Sequence, residues 1–159
     1  MAKSDKTNAL RILDREQIPY ETLSYPPSDE HLDGISVAAL VGESTQRVFK
    51  TLVLLGEDRQ HYVCVIPAVR ELDLKSAAAL FKIKSLRMVA VSELKDLTGY
   101  VRGGCSPIGM KKAFATALDI SAQTQPYILV SGGRIGLQVK IDPQDLRAAC
   151  QACYGKICR

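Results

Sequence analysis

Residues 102–112 read RGGCSPIGMKK, three glycines, a Ser-Pro and a pair of lysines in one stretch. Gly103 and Gly104 admit positive φ and let a ligand come close to the backbone. Successive N–H groups in such a turn can form a concave site for an anion or a developing oxyanion. Ser106 adds a hydroxyl, and Pro107 stiffens the loop and removes a competing donor. Gly109 again allows close approach, and Lys111 and Lys112 add positive potential. A glycine-rich connection between strands, with exposed lysines, has the same composition. The stretch is not a phosphate loop of the GxxxxGK[ST] type, because Met110 follows Gly109.

Lys50 lies inside VFKTLVLL (48–55). With a period of two, Val48, Lys50, Leu52 and Leu54 share one face of a strand, and Phe49, Thr51, Val53 and Leu55 the other. Both faces are apolar, so the strand is expected to be covered on both sides. An ammonium there needs a partner anion or a route to water. A ligand phosphate suits it, since the ammonium acts as a point charge. A lysine at a strand end, snorkelling to solvent, is the other reading. Ser131-Gly132-Gly133 sets a hydroxyl beside two glycines at a strand end, for ligand contact or for a hairpin alone.

Cys105 sits in the glycine loop as a candidate nucleophile, but no histidine is near in sequence to act as its base. Cys150 and Cys153 form a CxxC with Cys158 close behind, which suggests metal or redox work. His31 and His61 are both distant in sequence, there is no second CxxC, and the segment also reads as the end of a C-terminal helix. HExxH, GxSxG and a familiar nucleophile–histidine spacing are all absent. No metal and no cofactor are expected.

The elements that must position these residues follow from periodicity and punctuation. Leu10, Ile12, Leu13 and Ile18 predict an amphipathic helix ending before Pro19. Tyr20–Tyr25 reads as a short strand, followed by the polar loop PPSDEHLDG. Ser36 is expected to cap a short helix over Val37–Val41, with Gly42 as its stop. Arg47–Leu55 and His61–Pro67 are strands joined as a hairpin. Asp73 caps LKSAAALF, and Ser92 is expected to cap ELKDLT, with Gly99 at its end. Lys112–Ala117 reads as a strand. Tyr127–Ser131 and Arg134–Ile141 are strands separated by Gly132-Gly133, which tolerates a primed two-residue turn. Asp142-Pro143-Gln144-Asp145 opens the last helix with a cap, a first-position proline and first-turn acid. Strands outnumber helices and hairpin-like pairs exclude a purely parallel sheet. The expectation is one α/β domain around a mixed, curled sheet.

The 159 residues suit a single domain spanning 1–159, with 47% hydrophobic and 24% charged residues. No apolar run reaches the ~18 residues that a membrane span needs. MAKSDKTNAL has charge but no apolar stretch after it, so the cytoplasm is the expected compartment. A net charge of +4 permits a polyanionic partner without establishing one. Tryptophan is absent and aromatics are few, which disfavours a stacking platform for single-stranded nucleic acid. Five cysteines, an odd count, read as reduced thiols.

Taken together, VFKTLV (48–53), LDLK (72–75), TGYVRGGCSPIGMKK (98–112) and YILVSGGRIGLQV (127–139) resemble the YbaK/EbsC-type aminoacyl-tRNA deacylases. The motifs stand in order and the likeness covers almost the whole chain. It implies a mixed, barrel-like β-sheet flanked by helices, the fold of the editing domain carried by some prolyl-tRNA synthetases. It implies a task as well: removing cysteine from Cys-tRNA(Pro), since a synthetase pocket cannot strongly reject a near-isostere of proline. Lys50 is then expected to hold the phosphate of the terminal adenosine. Gly103, Gly104, Ser106, Pro107 and Gly109 match the loop that contacts the ester and terminal ribose. Ser131, Gly132 and Gly133 line the same pocket, which Tyr20 and Thr51 help to shape.

The implied mechanism uses the substrate's own thiol as nucleophile, with the enzyme supplying orientation and oxyanion stabilisation. Prolyl-tRNA synthetase is the implied partner. Gln138 stands where related members carry an acidic residue, which touches amino-acid and amino-group recognition. Cys105 stands where an aliphatic residue is common. Two other functions fit the resemblance: hydrolysis of Ala-tRNA(Pro) or another mischarged tRNA by water, or a non-catalytic module that binds tRNA or synthetase.

Overall fold

The structure is a computed structural model and describes residues 6–27 and 32–159. His31 and the middle of the polar loop after β1 lie outside the described residues. The elements in chain order are α1 (Asn8–Arg15), β1 (Glu21–Ser24), α2 (Gly34–Val41), β2 (Phe49–Gly56), β3 (His61–Pro67), α3 (Leu74–Phe81), β4 (Leu86–Met88), α4 (Val91–Thr98), β5 (Ala115–Asp119), a 3₁₀ turn (Ile120–Thr124), β6 (Ile128–Ser131), β7 (Leu137–Ile141), α5 (Pro143–Cys150) and β8 (Cys153–Gly155).

Asp73 and Asp142 cap α3 and α5 by accepting first-turn N–H groups, as their sequences predict. The start of α2 differs from expectation. Asp33 is the cap, and Ser36 donates its N–H to the Asp33 carboxylate at 2.8 Å instead of capping. The helix therefore gains a turn at Gly34, while Gly42 ends it in the left-handed region at φ 72°. Likewise α4 begins at Val91, one residue before Ser92, and its cap position is Ala90, which offers no side-chain bond.

Two sheets form. One has the order β4-β2-β3-β5-β8 and the other β1-β7-β6. β2 and β3 are an antiparallel hairpin, whereas β5 runs parallel to both β3 and β8. The sheets meet at one parallel bridge, Val48 with Leu129, where the Leu129 N–H donates to Arg47 O at 2.7 Å. The assembly curls through this junction and does not close.

Three expectations shift. β5 starts at Ala115, beyond the predicted Lys112, because Lys112, Ala113 and Phe114 remain in the loop. The β6–β7 connection spans residues 132–136 and is not a two-residue turn. It is closed by Gly132 N–H to Leu137 O (2.9 Å) and Leu137 N–H to Arg134 O (3.2 Å), with Gly133 and Gly136 at positive φ. The chain after Cys150 does not continue as helix: Gln151 turns left-handed (φ 52°) and Cys153 enters β8.

Strand parity sorts the core. Phe49 and Val53 of β2 join Val63, Val65, Leu118, Val130 and Val139 under α1 and α5. Leu54 faces the other way, with Cys64, Ile66, Ala117 and Ile157 under α3. Burying each large aliphatic side chain contributes about 1.5–3 kcal/mol relative to exposure. Among the described residues no helix is long and apolar enough to cross a membrane.

Candidate functional site

The two sheets touch at Val48, just before β2, and the outer edge of β2 shows how a cleft forms. Val48 O accepts from Ala68 N–H and Gly56 N–H donates to Gln60 O, so the even-numbered residues of β2 face β3. Arg47 O accepts from Leu129 and Val53 O accepts from Val89, so the odd-numbered residues face the opposite edge. On that edge β6 leaves after Val48, and β4 pairs only from Leu54. No strand of the described residues pairs with that edge at Thr51, and its N–H and C=O are turned into the gap.

The gap is a cleft of about 710 Å³. Lys50, Thr51, Gly103, Ser131 and Gln138 all line it, so five of the sequence-predicted residues are brought together from β2, the glycine loop, β6 and β7. Cys105 lines it as well. Its deeper wall is apolar, with Phe49, Val53, Val89 and Leu94. Arg102, Met88 and Val91 also line it; sequence reading had not marked them. The apolar residues ahead of the uncapped helix α4 were the available signal. Met88, Val91 and Ile135 are exposed at this cleft.

The other predicted residues lie elsewhere. Tyr20 is on a separate groove between α1 and β1, where its hydroxyl donates to Asp14 at 2.8 Å. Ser106 is fully buried, and its Oγ accepts from Ile108 N–H at 3.1 Å, which shapes the loop from within. Pro107 is also buried, and its carbonyl accepts from the Cys150 thiol at 3.3 Å. Gly109, at φ 76°, packs on Asn8, Ile12 and Tyr100. Gly132 and Gly133 pack on Leu137 and on Thr7 and Tyr100. Gly104 leaves no room for a Cβ, which would lie 2.8–2.9 Å from the Arg134–Ile135 backbone. Gly104 thus seats the glycine loop against the β6–β7 turn, and none of these seven residues lines the cleft.

Tyr100 fixes the loop further by donating to Ile108 O at 2.6 Å, and Asn8 donates to Gly109 O at 2.7 Å. Gly104 N–H is committed to Val101 O at 2.9 Å. The N–H groups of Gly103, at φ 85°, and Cys105 bond no acceptor among the described residues.

Lys50 makes no ion pair or hydrogen bond among the described residues. With Arg102 it makes the cleft electropositive, partly balanced by Asp33 at the start of α2. Burial pushes the Cys105 thiol up to about 11, so it stays protonated at neutral pH and is a poor nucleophile. Among the described residues two polar atoms in the cleft are buried without a partner, Thr51 Oγ1 and Gln138 Oε1. The CxxC does not form a unit: Cys150 ends α5 and Cys153 donates to Thr116 O from β8. Among the described residues no group of three or more His, Cys, Asp or Glu side chains is placed to hold a metal ion.

Known proteins resemble this chain. A protein of Enterococcus faecalis (strain ATCC 700802 / V583) named "Putative Cys-tRNA(Pro)/Cys-tRNA(Cys) deacylase EbsC" is 40% identical over 152 residues, 96% of this chain and 93% of the relative. The crystal structure described as "a putative trans-editing enzyme for prolyl tRNA synthetase" superposes with a TM-score of 0.82 at 23% identity, covering 97% of this chain and 98% of that one. Hypothetical protein APE2540 superposes with a TM-score of 0.87, also at 23% identity, over 96% of this chain and 100% of its own. These two structures establish likeness of fold. The model of the aminoacyl-tRNA editing domain matches residues 32–149, a span that holds the whole glycine loop and both walls of the cleft. With that match and the identity to the enterococcal protein, this chain belongs to the YbaK family of aminoacyl-tRNA editing domains.

Proposed function

We propose that this chain, 1–159, acts as one trans-editing aminoacyl-tRNA deacylase that clears cysteine from Cys-tRNA(Pro) in the cytoplasm. The observation that carries the reading is the cleft itself. Among the described residues it gathers a lysine without an ion pair, loop N–H donors and unpartnered polar atoms, and holds no nucleophile–base pair. Such a site is suited to orient a substrate that brings its own nucleophile.

In this reading Lys50, helped by Arg102, takes the phosphate of the terminal adenosine. The ester carbonyl lies against the glycine loop, where Gly103 and Cys105 N–H are the available oxyanion donors. The cysteinyl sulfur attacks its own carbonyl carbon. A C–S bond forms, the ester C–O bond breaks, and the thiol proton ends on the departing ribose oxygen. The products are free tRNA and a cysteine thiolactone, which water then opens. Nothing in the cleft reads the tRNA body, so selection of tRNA(Pro) is assigned to prolyl-tRNA synthetase as partner.

The test follows release of labelled amino acid from Cys-tRNA(Pro) and Ala-tRNA(Pro), with and without the synthetase. Fast loss of cysteine alone is expected. Fast loss of alanine would replace the thiol by water as nucleophile. Loss of neither would make the protein a binding module.

A further inference from the structure

The cysteine-rich stretch after α5 does not line the cleft, yet its last residues cover the row of the sheet that holds Lys50. Leu52, Cys64 and Ala117 stand side by side across β2, β3 and β5, on the face that packs under α3. Two residues further along these strands, the next row on the same face is Lys50, Ile66 and Asp119. A lysine and a carboxylate thus end one row, with Ile66 between them. Residues 157–159 lie over it. Ile157 N–H donates to Asp119 Oδ1 at 3.1 Å, and Ile157 O accepts from Asp73 N–H at 2.7 Å. Cys158 bridges Leu72, and Arg159 N–H donates to Glu71 O at 3.0 Å. Ile157 and Cys158 are buried in the same cluster as Ile66. The segment is a strap, pinned at residues 71–73 and at Asp119. It passes within electrostatic reach of the lysine. Burial and then the Asp119 charge push the Cys158 thiol up to about 12, and the Arg70 and Lys50 charges oppose the rise.

We propose that Ile157, Cys158 and Arg159 position Lys50: Cys158 walls the lysine stem off from Asp119 and turns its ammonium towards the cleft. This deepens the deacylase reading and rests on its phosphate role for Lys50. A lysine stem carries about 2 kcal/mol of rotamer entropy, and a wall along one side removes part of that freedom before a ligand arrives. The strap also occupies the carboxylate at the far end of the row. Asp119 Oδ1 is taken by Ile157, and Oδ2 accepts from the Ser121 hydroxyl at 2.6 Å. The ammonium is thereby left for an anion from outside. Cys158 is a positioning residue and meets no substrate.

The experiment measures binding of uncharged tRNA(Pro), which keeps the terminal phosphate and needs no chemistry. Wild-type protein, Lys50→Ala, Cys158→Ala, Cys158→Val and the double variant of Lys50→Ala with Cys158→Ala are compared, each with its thermal midpoint. Lys50→Ala is expected to weaken binding about 10-fold or more, and Cys158→Ala about 3- to 10-fold. Without Lys50 the cysteine substitution should change binding by less than about 1.5-fold, and Cys158→Val should stay within about 2-fold of wild type. Arg70→Met removes the donor to Arg159 O (2.9 Å) at the exposed end of the strap and serves where Cys158→Ala does not fold; its loss should likewise vanish without Lys50. A merely structural role would weaken binding equally with and without Lys50, and that result would overturn the proposal. So would wild-type binding by a folded Cys158→Ala protein. Wild-type binding by Lys50→Ala would overturn the phosphate role and the strap's role with it. Release of cysteine from Cys-tRNA(Pro) is followed on the same preparations. Coupling between Cys158 and Lys50 without any release would uphold the strap and remove the deacylase reading.

Discussion

At the scale of the residue, Lys50 is the charge whose position the sequence announces. A lysine inside VFKTLVLL stands out because nothing else in that strand is ionisable. Its lack of an ion pair among the described residues separates its roles. Lys50→Ala is expected to raise KM by about 10- to 100-fold, the worth of a charge-assisted contact to phosphate, and to leave the thermal midpoint unmoved. Steady-state deacylation and a melt on the same preparation check both halves. The thiols give a second prediction. Burial pushes Cys64, Cys150 and Cys158 up to about 12 and Cys105 to about 11, from an ordinary value near 9. Tyr100 moves the same way, from 10 to about 12. Between these limits the folded chain binds more protons than the unfolded one, so stability must fall as pH rises. The melting midpoint should decline from about pH 9 towards 11; a flat profile there would contradict it. Thr51 and Gln138 entered through family resemblance, since being unpartnered is a property of the folded surroundings.

At the scale of the element, the glycine loop reads differently in space than in sequence. The motif suggested a row of backbone donors, yet Gly104, Ser106, Pro107 and Gly109 are used to seat the loop. Composition cannot separate a glycine that meets a ligand from one that meets another loop. Gly104→Ala must push the loop off the Arg134–Ile135 backbone, at about 1–3 kcal/mol for the clash. A lower midpoint together with weaker deacylation is expected; an unchanged protein would show that the two loops are not in contact. Tyr100→Phe leaves Ile108 O short of its donor and is expected to cost about 1–3 kcal/mol in denaturant unfolding. Helices and the β2–β3 hairpin were legible because their periods and caps are local. The caps of α2 and α4 differ from expectation by a few residues, since Asp33 and Ser36 are both good caps for α2 and α4 starts from Ala90 with no capping side chain at all. β4 and β8, three residues each, carry too little pattern to be seen.

At the scale of the whole molecule, a mixed α/β sheet was readable from hairpins and helix punctuation, but the division into two sheets was not. That division depends on one pairing, Val48 with Leu129, between segments far apart in the chain. Leu129 is fully buried at this junction, and both cleft walls diverge from it. Leu129→Ala should cost about 2–5 kcal/mol and should lower activity even at temperatures where the variant is folded, as judged by circular dichroism beside turnover. Full activity in the folded variant would mean that the junction does not set the cleft.

The pairing order bears on synthesis. β1, near the start of the chain, has its partner in β7, and β5 is flanked by β8 at residues 153–155. Both sheets therefore wait for partners that come much later in the sequence. Long-range and parallel pairings of this kind form slowly, and their edges stay open to other chains until they do. A nascent copy would expose the unpaired edge of β1 until β7 is made, and that of β5 only from its own synthesis until β8 follows. Its burden on chaperones should accordingly fall late and lift abruptly once β8 emerges.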